Sequence, residues 1–268
     1  MSARLYDAHN HLQDERFGTR APELLTACRS VGLAGMVVNG ACEADWPQVL
    51  ALAQQFPEVL PSFGYHPWYL SERTPDWLAN LRHYLDAVPS AVGEIGLDRW
   101  KPGLPYAGQE EAFLAQLQLA AERNLPASIH CLQAWGRILE LLQTNPRPAR
   151  GFLLHSYGGP KEMVKSFADL GAYFSFPGYY AYERKERQRE TFRHVPADRL
   201  LIETDAPDQQ LPDALNQFPL VDPASGKPIN HPANLGAIYE YAAGLRGVSV
   251  AALTAQVESN FLRLFAGL

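Results

Sequence analysis

From Leu5 to Glu203 the chain alternates short apolar runs with amphipathic stretches, and this alternation constrains its fold more than any other feature. Apolar runs of four to eight residues bounded by turn residues read as buried strands, and the stretches between them carry the 3.6-residue periodicity of helices. Candidate strands end near His9, Asn39, Gly64, Glu94, His130, His155, Ser175 and Glu203. Helical patterns fill the intervals at Pro22 to Val31, Trp46 to Gln55, Pro75 to Ala87, Gly108 to Arg123, Trp135 to Gln143, Lys161 to Leu170, Tyr182 to Phe192 and Pro232 to Gly244. Repeated βα units call for a parallel sheet covered by helices. Eight of them in 268 residues, close to the ~250 typical of the architecture, predict an α/β fold: a (βα)8 TIM barrel in a single domain, 1–268. An additional C-terminal helix is expected over Ser249 to Phe265, with Ala252, Val257, Phe261 and Leu264 as its apolar stripe. No GxGxxG follows the first strand and no GxxxxGK[ST] occurs anywhere, which removes the main support for dinucleotide and P-loop chemistry. The stretch from Pro207 to Pro232 reads as a long functional loop.

In such barrels the active site lies at the C-terminal ends of the strands, and there this chain places metal-ligating side chains. Asp7-Ala8-His9-Asn10-His11 ends the first strand with two imidazoles on one face, and Asp7 is positioned to orient a ring. Glu94 follows an apolar run in Ala91 to Asp98 and has two oxygens with which to bridge two metals. His130 and His155 end the fifth and sixth strands. Glu203 and Asp205 flank Thr204 on the eighth and face the same way, so spacing alone leaves open which is the ligand; Asp205, nearer the mouth, is preferred, with Glu203 supporting it from deeper in the barrel. Four histidines and two carboxylates exceed the needs of one tetrahedral zinc and point to two divalent metal ions with open positions for water and substrate. Such a pair lowers the pKa of a water toward ~7, which predicts a hydrolase, with Asp205 accepting the proton of the attacking water. The ions are expected to be zinc, manganese or magnesium.

The formal charge of −6 argues against broad electrostatic coating of DNA, though not against a metal-centred site acting on a phosphodiester. Cys28, Cys42 and Cys131 form no close pair and read as reduced thiols. With no apolar signal core and no uncharged stretch long enough to span a bilayer, the expectation is a cytoplasmic protein with no membrane association and no obligate protein partner.

The segments DAHNHL, GYHP (Gly64 to Pro67), VGEIGLD, SIH, LLHSYGG (Leu153 to Gly159) and IETDAP (Ile202 to Pro207) run in order from residue 7 to residue 207, and Asn260 to Phe265 closes the chain. With these the sequence resembles the TatD family of metal-dependent deoxyribonucleases, within the amidohydrolase superfamily of (βα)8 barrels. The resemblance covers essentially the whole chain. It implies that His9 and His11 hold one metal with Glu94 and Asp205, that Glu94 bridges to a second held by His130 and His155, and that His66 contacts a substrate phosphate at the mouth. It also implies a DNase acting exonucleolytically on DNA or nucleotides. The chain departs from the family pattern at Arg99-Trp100, at Pro207-Asp208-Gln209 and at Asn230-His231-Pro232, which bears on substrate contacts and leaves the ligand set complete.

The competing reading from the same residues is a hydrolase of a small amide, ester or lactone, or of an aminoacyl ester on tRNA; a barrel serving only for binding or regulation fits a complete ligand set poorly. His231 is either an extra polar contact or a helix-entry residue before Pro232, and Glu183 to Glu190 reads as a solvated helix face. Trp68, Tyr69, Trp100 and Trp135 line the rim or stack on bases, and Cys131, on the strand face opposite His130, reads as packing.

Overall fold

The computed structural model describes residues 4–268. Its main sheet contains eight strands paired in parallel and in chain order: β1 (Leu5–Asn10), β2 (Leu33–Asn39), β3 (Val59–Phe63), β4 (Ala91–Asp98), β5 (Ala127–Leu132), β6 (Phe152–Leu154), β7 (Ala172–Pro177) and β8 (Leu200–Glu203). The sheet curls until its two edges meet. Asp205 N donates to His9 O (2.9 Å) and His11 N to Ala206 O (2.8 Å), just beyond the ends of β8 and β1. Asp7, fully buried, fastens the same seam by accepting from Thr204 N (2.9 Å) and Thr204 Oγ1 (2.5 Å). Asp7 is thus a clamp between the first and last strands and not the orienter of an imidazole ring that its spacing suggested.

Helices α1 (Ala21–Ser30), α2 (Trp46–Gln55), α3 (Trp77–Ala87), α4 (Tyr106–Arg123), α5 (Trp135–Thr144), α6 (Val164–Asp169), α7 (Glu186–Arg193) and α8 (Leu235–Arg246) follow the strands in turn, and α9 (Val250–Phe265) closes the chain. Their ends are written in local chemistry. Proline stands in the first turn of α1 and α2, where its missing N–H costs nothing. Gly247, at φ 66°, stops α8, and Ser249 accepts from Ala252 N (3.2 Å) to start α9. The buried stripe of α9 is Leu253, Val257, Phe261 and Leu264, with Ala252 on the outside, because the cap turns residue 252 toward solvent. Asn260 Nδ2 donates to Ala197 O and Leu200 O, both at 2.8 Å, and pins this helix to the start of β8.

Several elements differ from the sequence reading. β4 runs on past Glu94 to Asp98, since Ile95 and Leu97 alternate into the buried layer and keep the strand going. The predicted helices from Lys161, Tyr182 and Pro232 each begin with a short 3-10 turn before the α-helix. The stretch 207–232 is not bare loop: Leu220–Val221 and Pro228–Ile229 (β9 and β10) pair antiparallel within it.

Candidate metal centre

Five of the predicted ligands sit where βα connections leave the barrel, or in the last residues of its strands. His9 lies in β1 and His11 one residue beyond it; His130 lies in β5; His155 follows β6 directly; Asp205 lies two residues beyond β8. Glu94 is in the interior of β4, four residues from its end, and is 3% exposed. Asp205 adopts φ 50°, a left-handed conformation that aspartate tolerates better than most residues.

All four rings converge on the Glu94 carboxylate. His9 Nε2 is 3.4 Å and His11 Nε2 3.3 Å from Glu94 Oε2, while His130 Nδ1 is 3.1 Å and His155 Nε2 2.8 Å from Glu94 Oε1. Asp205 Oδ1 is 3.6 Å from both His9 Nε2 and His11 Nε2. The two oxygens of one carboxylate therefore face two different pairs of imidazoles, with Asp205 on the His9/His11 side. Glu203 takes no part in that ring. It is fully buried, accepts from Ser156 Oγ and Ser175 Oγ, and faces His155 Nδ1 at 3.8 Å from behind.

For two of the rings, His11 and His130, the far side fixes which nitrogen carries a proton. His11 Nδ1 lies 2.8 Å from Asn39 O, an obligate acceptor, so Nδ1 is protonated and Nε2 offers its lone pair to the site. His130 Nε2 lies 3.1 Å from Asp98 Oδ2, which leaves Nδ1 as the free lone pair. His9 Nδ1 contacts Ser128 Oγ at 2.8 Å. The inward nitrogens then meet in pairs, His9 Nε2 with His11 Nε2 and His130 Nδ1 with His155 Nε2, each 3.3 Å apart. Opposed lone pairs in a buried site are unfavourable unless a proton or a cation lies between them, and a mixed imidazole and carboxylate set is the donor chemistry of divalent transition metals. The residues fit metal ions.

The electrostatics point the same way. Burial by itself would raise the Glu94 pKa, but His66, His155, His9 and His11 hold it well below the usual carboxylate range. Burial likewise opposes charge on His11, yet Glu94 and Asp205 lift it to about 10. Asp205 is raised above the ordinary range, chiefly by burial and further by the negative charges of Glu203 and Glu94. This cavity favours added positive charge.

His66 differs from the other four histidines. It opens the 3-10 turn Pro67–Glu72, and its Nδ1 accepts from Trp68 N (3.2 Å). Its neutral form therefore carries the proton on Nε2, 3.4 Å from Glu94 Oε1, and presents a donor to the site where the others present lone pairs. His231 uses the same device, accepting from Ala233 N (2.9 Å) ahead of Pro232–Asn234, but its ring packs against Phe218 and is a helix-entry residue outside the cluster.

Asp98, Gln109 and Gln209 were not singled out from sequence as parts of the centre. Asp98 Oδ2 also accepts from Trp68 Nε1 (2.6 Å), and its Oδ1 accepts from Trp100 N (2.7 Å) and Lys101 N (2.9 Å). Gln109 on α4 secures Asp98 with two backbone bonds, from Asp98 N (2.7 Å) and to Asp98 O (3.0 Å). Gln209 Nε2 donates to Asp205 Oδ2 (2.6 Å) and to Ser156 Oγ. Asp98 stands in view at a strand end and Gln209 in a segment that departs from the family pattern, whereas Gln109 carries no positional signal before the fold brings it in. Of the aromatic candidates, Trp68 reaches Asp98, Tyr69 flanks His66, Trp135 packs on Tyr157, and Trp100 stands 58% exposed. Cys131 is buried packing. The charge run at Glu183 is half-buried to exposed, with Arg189 bonded to the carbonyls of Tyr180, Tyr182 and Glu183. No helix among the described residues is long and apolar enough to cross a membrane.

The family model described as TatD related DNase matches residues 6–266. The chain is 33% identical over 264 residues to a 3'-5' ssDNA/RNA exonuclease TatD of Erwinia tasmaniensis, covering 97% of this chain and 99% of that protein. Its counterpart in Citrobacter koseri is 33% identical over 265 residues, covering 97% and 98%. Among solved structures, YjjV, a TatD homologue of Escherichia coli K12, superposes with a TM-score of 0.89 at 26% identity over 99% of both chains. A TatD family hydrolase of Entamoeba histolytica shares the fold at 18% identity and a TM-score of 0.85, over the full length of both. The eight-stranded barrel, the matched segments and these likenesses agree: the chain belongs to the TatD-related DNase family.

Proposed function

We propose that this protein is a metal-dependent phosphodiesterase that shortens single-stranded DNA or RNA from the 3' end, the whole chain working as one hydrolase domain. The observation that carries the reading is the convergence of His9, His11, His130 and His155 on the two oxygens of Glu94. Support for the substrate comes from the relatives named 3'-5' ssDNA/RNA exonucleases.

In this reading His9, His11, Glu94 and Asp205 would hold one divalent ion and Glu94, His130 and His155 would hold a second. The imidazole-rich set favours zinc or manganese over the more oxygen-seeking magnesium. Bound divalent ions supply Lewis acidity, acidifying a water and drawing charge from the phosphoryl oxygens. The chain's own groups do the rest. Asp205 takes the proton as the water oxygen bonds to phosphorus. His66 donates from Nε2 to a phosphoryl oxygen, where its charge grows. Asp98 holds the His130 ring in the orientation that keeps its lone pair inward, and the Glu203 carboxylate, 3.8 Å behind His155 Nδ1, favours a proton on that nitrogen. The phosphorus–oxygen bond to the departing sugar breaks as the new one forms, and the departing oxygen takes up a proton from solvent.

The test is hydrolysis by metal-reconstituted protein of 5'-labelled single-stranded oligonucleotides, beside a panel of carboxylic esters, lactones and amides. Stepwise 3' shortening that is lost in Glu94→Gln and in Asp205→Asn is expected. Carbonyl hydrolysis without nucleic-acid cleavage would replace this reading with the competing one.

A further inference from the structure

Gln209 has two neighbourhoods. On one side its amide donates to Asp205 of the metal centre; on the other it lines a cavity of about 320 Å³ walled by Tyr179 and Tyr182. That volume lies at the lower end of the range of small-molecule sites, about 300–1,000 Å³. The two rings stand 5.4 Å apart at 62° and are half-buried. Arg184 braces them, its guanidinium 4.3 Å from the Tyr182 ring and donating to Tyr179 Oη at 3.0 Å, while Tyr182 Oη reaches Leu211 O at 3.2 Å. Their faces are held in place before any ligand arrives.

The remaining wall decides what chemistry fits. Arg16 lines the cavity, but its guanidinium is shared by Asp14 and Asp208, with two 2.8 Å bonds to each, so it is not free for a phosphate, and Arg184 and Lys185, which lie over the tyrosine rings, are not among the residues that line the cavity. Pro207, Pro228 and Ile229 supply apolar surface, and Gln209 and Gln210, whose amide nitrogens are engaged by Asp205, Ser156 and the Pro228 carbonyl, leave their amide oxygens as polar edges. A fixed aromatic face, an apolar floor and amide groups suit a flat, uncharged heterocycle with hydrogen-bonding edges.

We infer that this cavity receives the nucleobase of the 3'-terminal nucleotide, stacked on Tyr182 and Tyr179, with Gln209 coupling the seated base to Asp205. The inference rests on the nuclease reading and adds to it the origin of preference for a base-bearing, unpaired end. Tyr179 and Tyr182 belong to the turn that follows β7, Gln209 to the segment after β8 and Arg16 to the segment after β1, so three neighbouring βα connections build the subsite.

The experiment compares removal of an ordinary 3'-terminal nucleotide with removal of a 3'-terminal abasic residue, which keeps sugar and phosphate, from otherwise identical 5'-labelled single strands. The wild-type protein should favour the base-bearing end roughly tenfold or more in kcat/KM. Tyr182→Ala should bring that ratio near one, and Tyr182→Phe, which keeps the ring, should preserve it. Tyr182→Leu keeps apolar volume without an aromatic face and makes the same test if the alanine protein fails to fold. Equal wild-type rates on both ends, or a ratio unaltered in both Tyr182→Ala and Tyr182→Leu, would overturn the subsite and leave the nuclease reading standing. No removal of either end would overturn both.

Discussion

Asp98 Oδ2 lies 3.1 Å from Nε2 of His130, whose other ring nitrogen is 3.1 Å from Glu94. A carboxylate thus fixes the tautomer of a proposed ligand and makes its inward nitrogen more basic. Asp98→Asn keeps the side-chain shape and can offer an N–H to a nitrogen that already holds one. Metal affinity at the His130/His155 position should fall about 10–100-fold, read by competition with a chromogenic chelator, while far-UV circular dichroism stays as in the wild type.

His66 separates holding metal from using it. His66→Asn retains an acceptor for Trp68 N and so retains the turn. Bound metal per chain should be unchanged while kcat on single-stranded DNA falls about 100-fold, as expected on losing one donor to developing charge. Loss of a metal equivalent in this variant would make His66 a ligand.

Gly96 is the reason His130 can be gripped from both sides. It sits in β4 between Glu94 and Asp98, opposite His130 in the β4–β5 register, at φ 151°; a Cβ there would fall 1.9 Å from His130 O. Backbone cannot yield that much cheaply, so Gly96→Ala should cost about 3 kcal/mol or more in denaturant unfolding.

This strand also shows what could and could not be read from the sequence. The eight apolar runs, and the gathering of six candidate ligands at one end of the barrel, are legible because barrels put chemistry at strand ends and because apolar runs stop there. Glu94 was misplaced to the end of its strand, since a buried acid looks like a terminator when periodicity is the only guide. Asp7 was misread for a related reason: spacing puts a side chain on a face but does not say that Thr204, on the last strand, will meet it there. Gln109 and Gln209 gain their roles only from contacts made by the folded chain.

His231 provides a pH dependence away from the metal centre. Burial holds its pKa down at about 4 against an ordinary 6.5, and its Nδ1 must stay unprotonated to accept from Ala233 N. Since the unfolded chain binds the proton more readily, this contribution is complete above pH 6.5 and is lost as pH falls from about 6.5 toward about 4. His231→Asn, which keeps an acceptor without the titration, should lose about 1–2 kcal/mol less stability than the wild type between pH 7.5 and pH 4.5, measured by urea unfolding.

On the proposed reading one carboxylate, Glu94, joins two metal positions that act together. This is tested most directly by titrating metal-stripped protein with manganese or zinc and following 3' shortening of a single-stranded oligonucleotide against metal bound per chain. The account predicts little hydrolysis up to one equivalent, a steep rise as the second binds, and neither the second equivalent nor hydrolysis in Glu94→Gln. Full activity at a single bound equivalent, or full activity in Glu94→Gln, would contradict it.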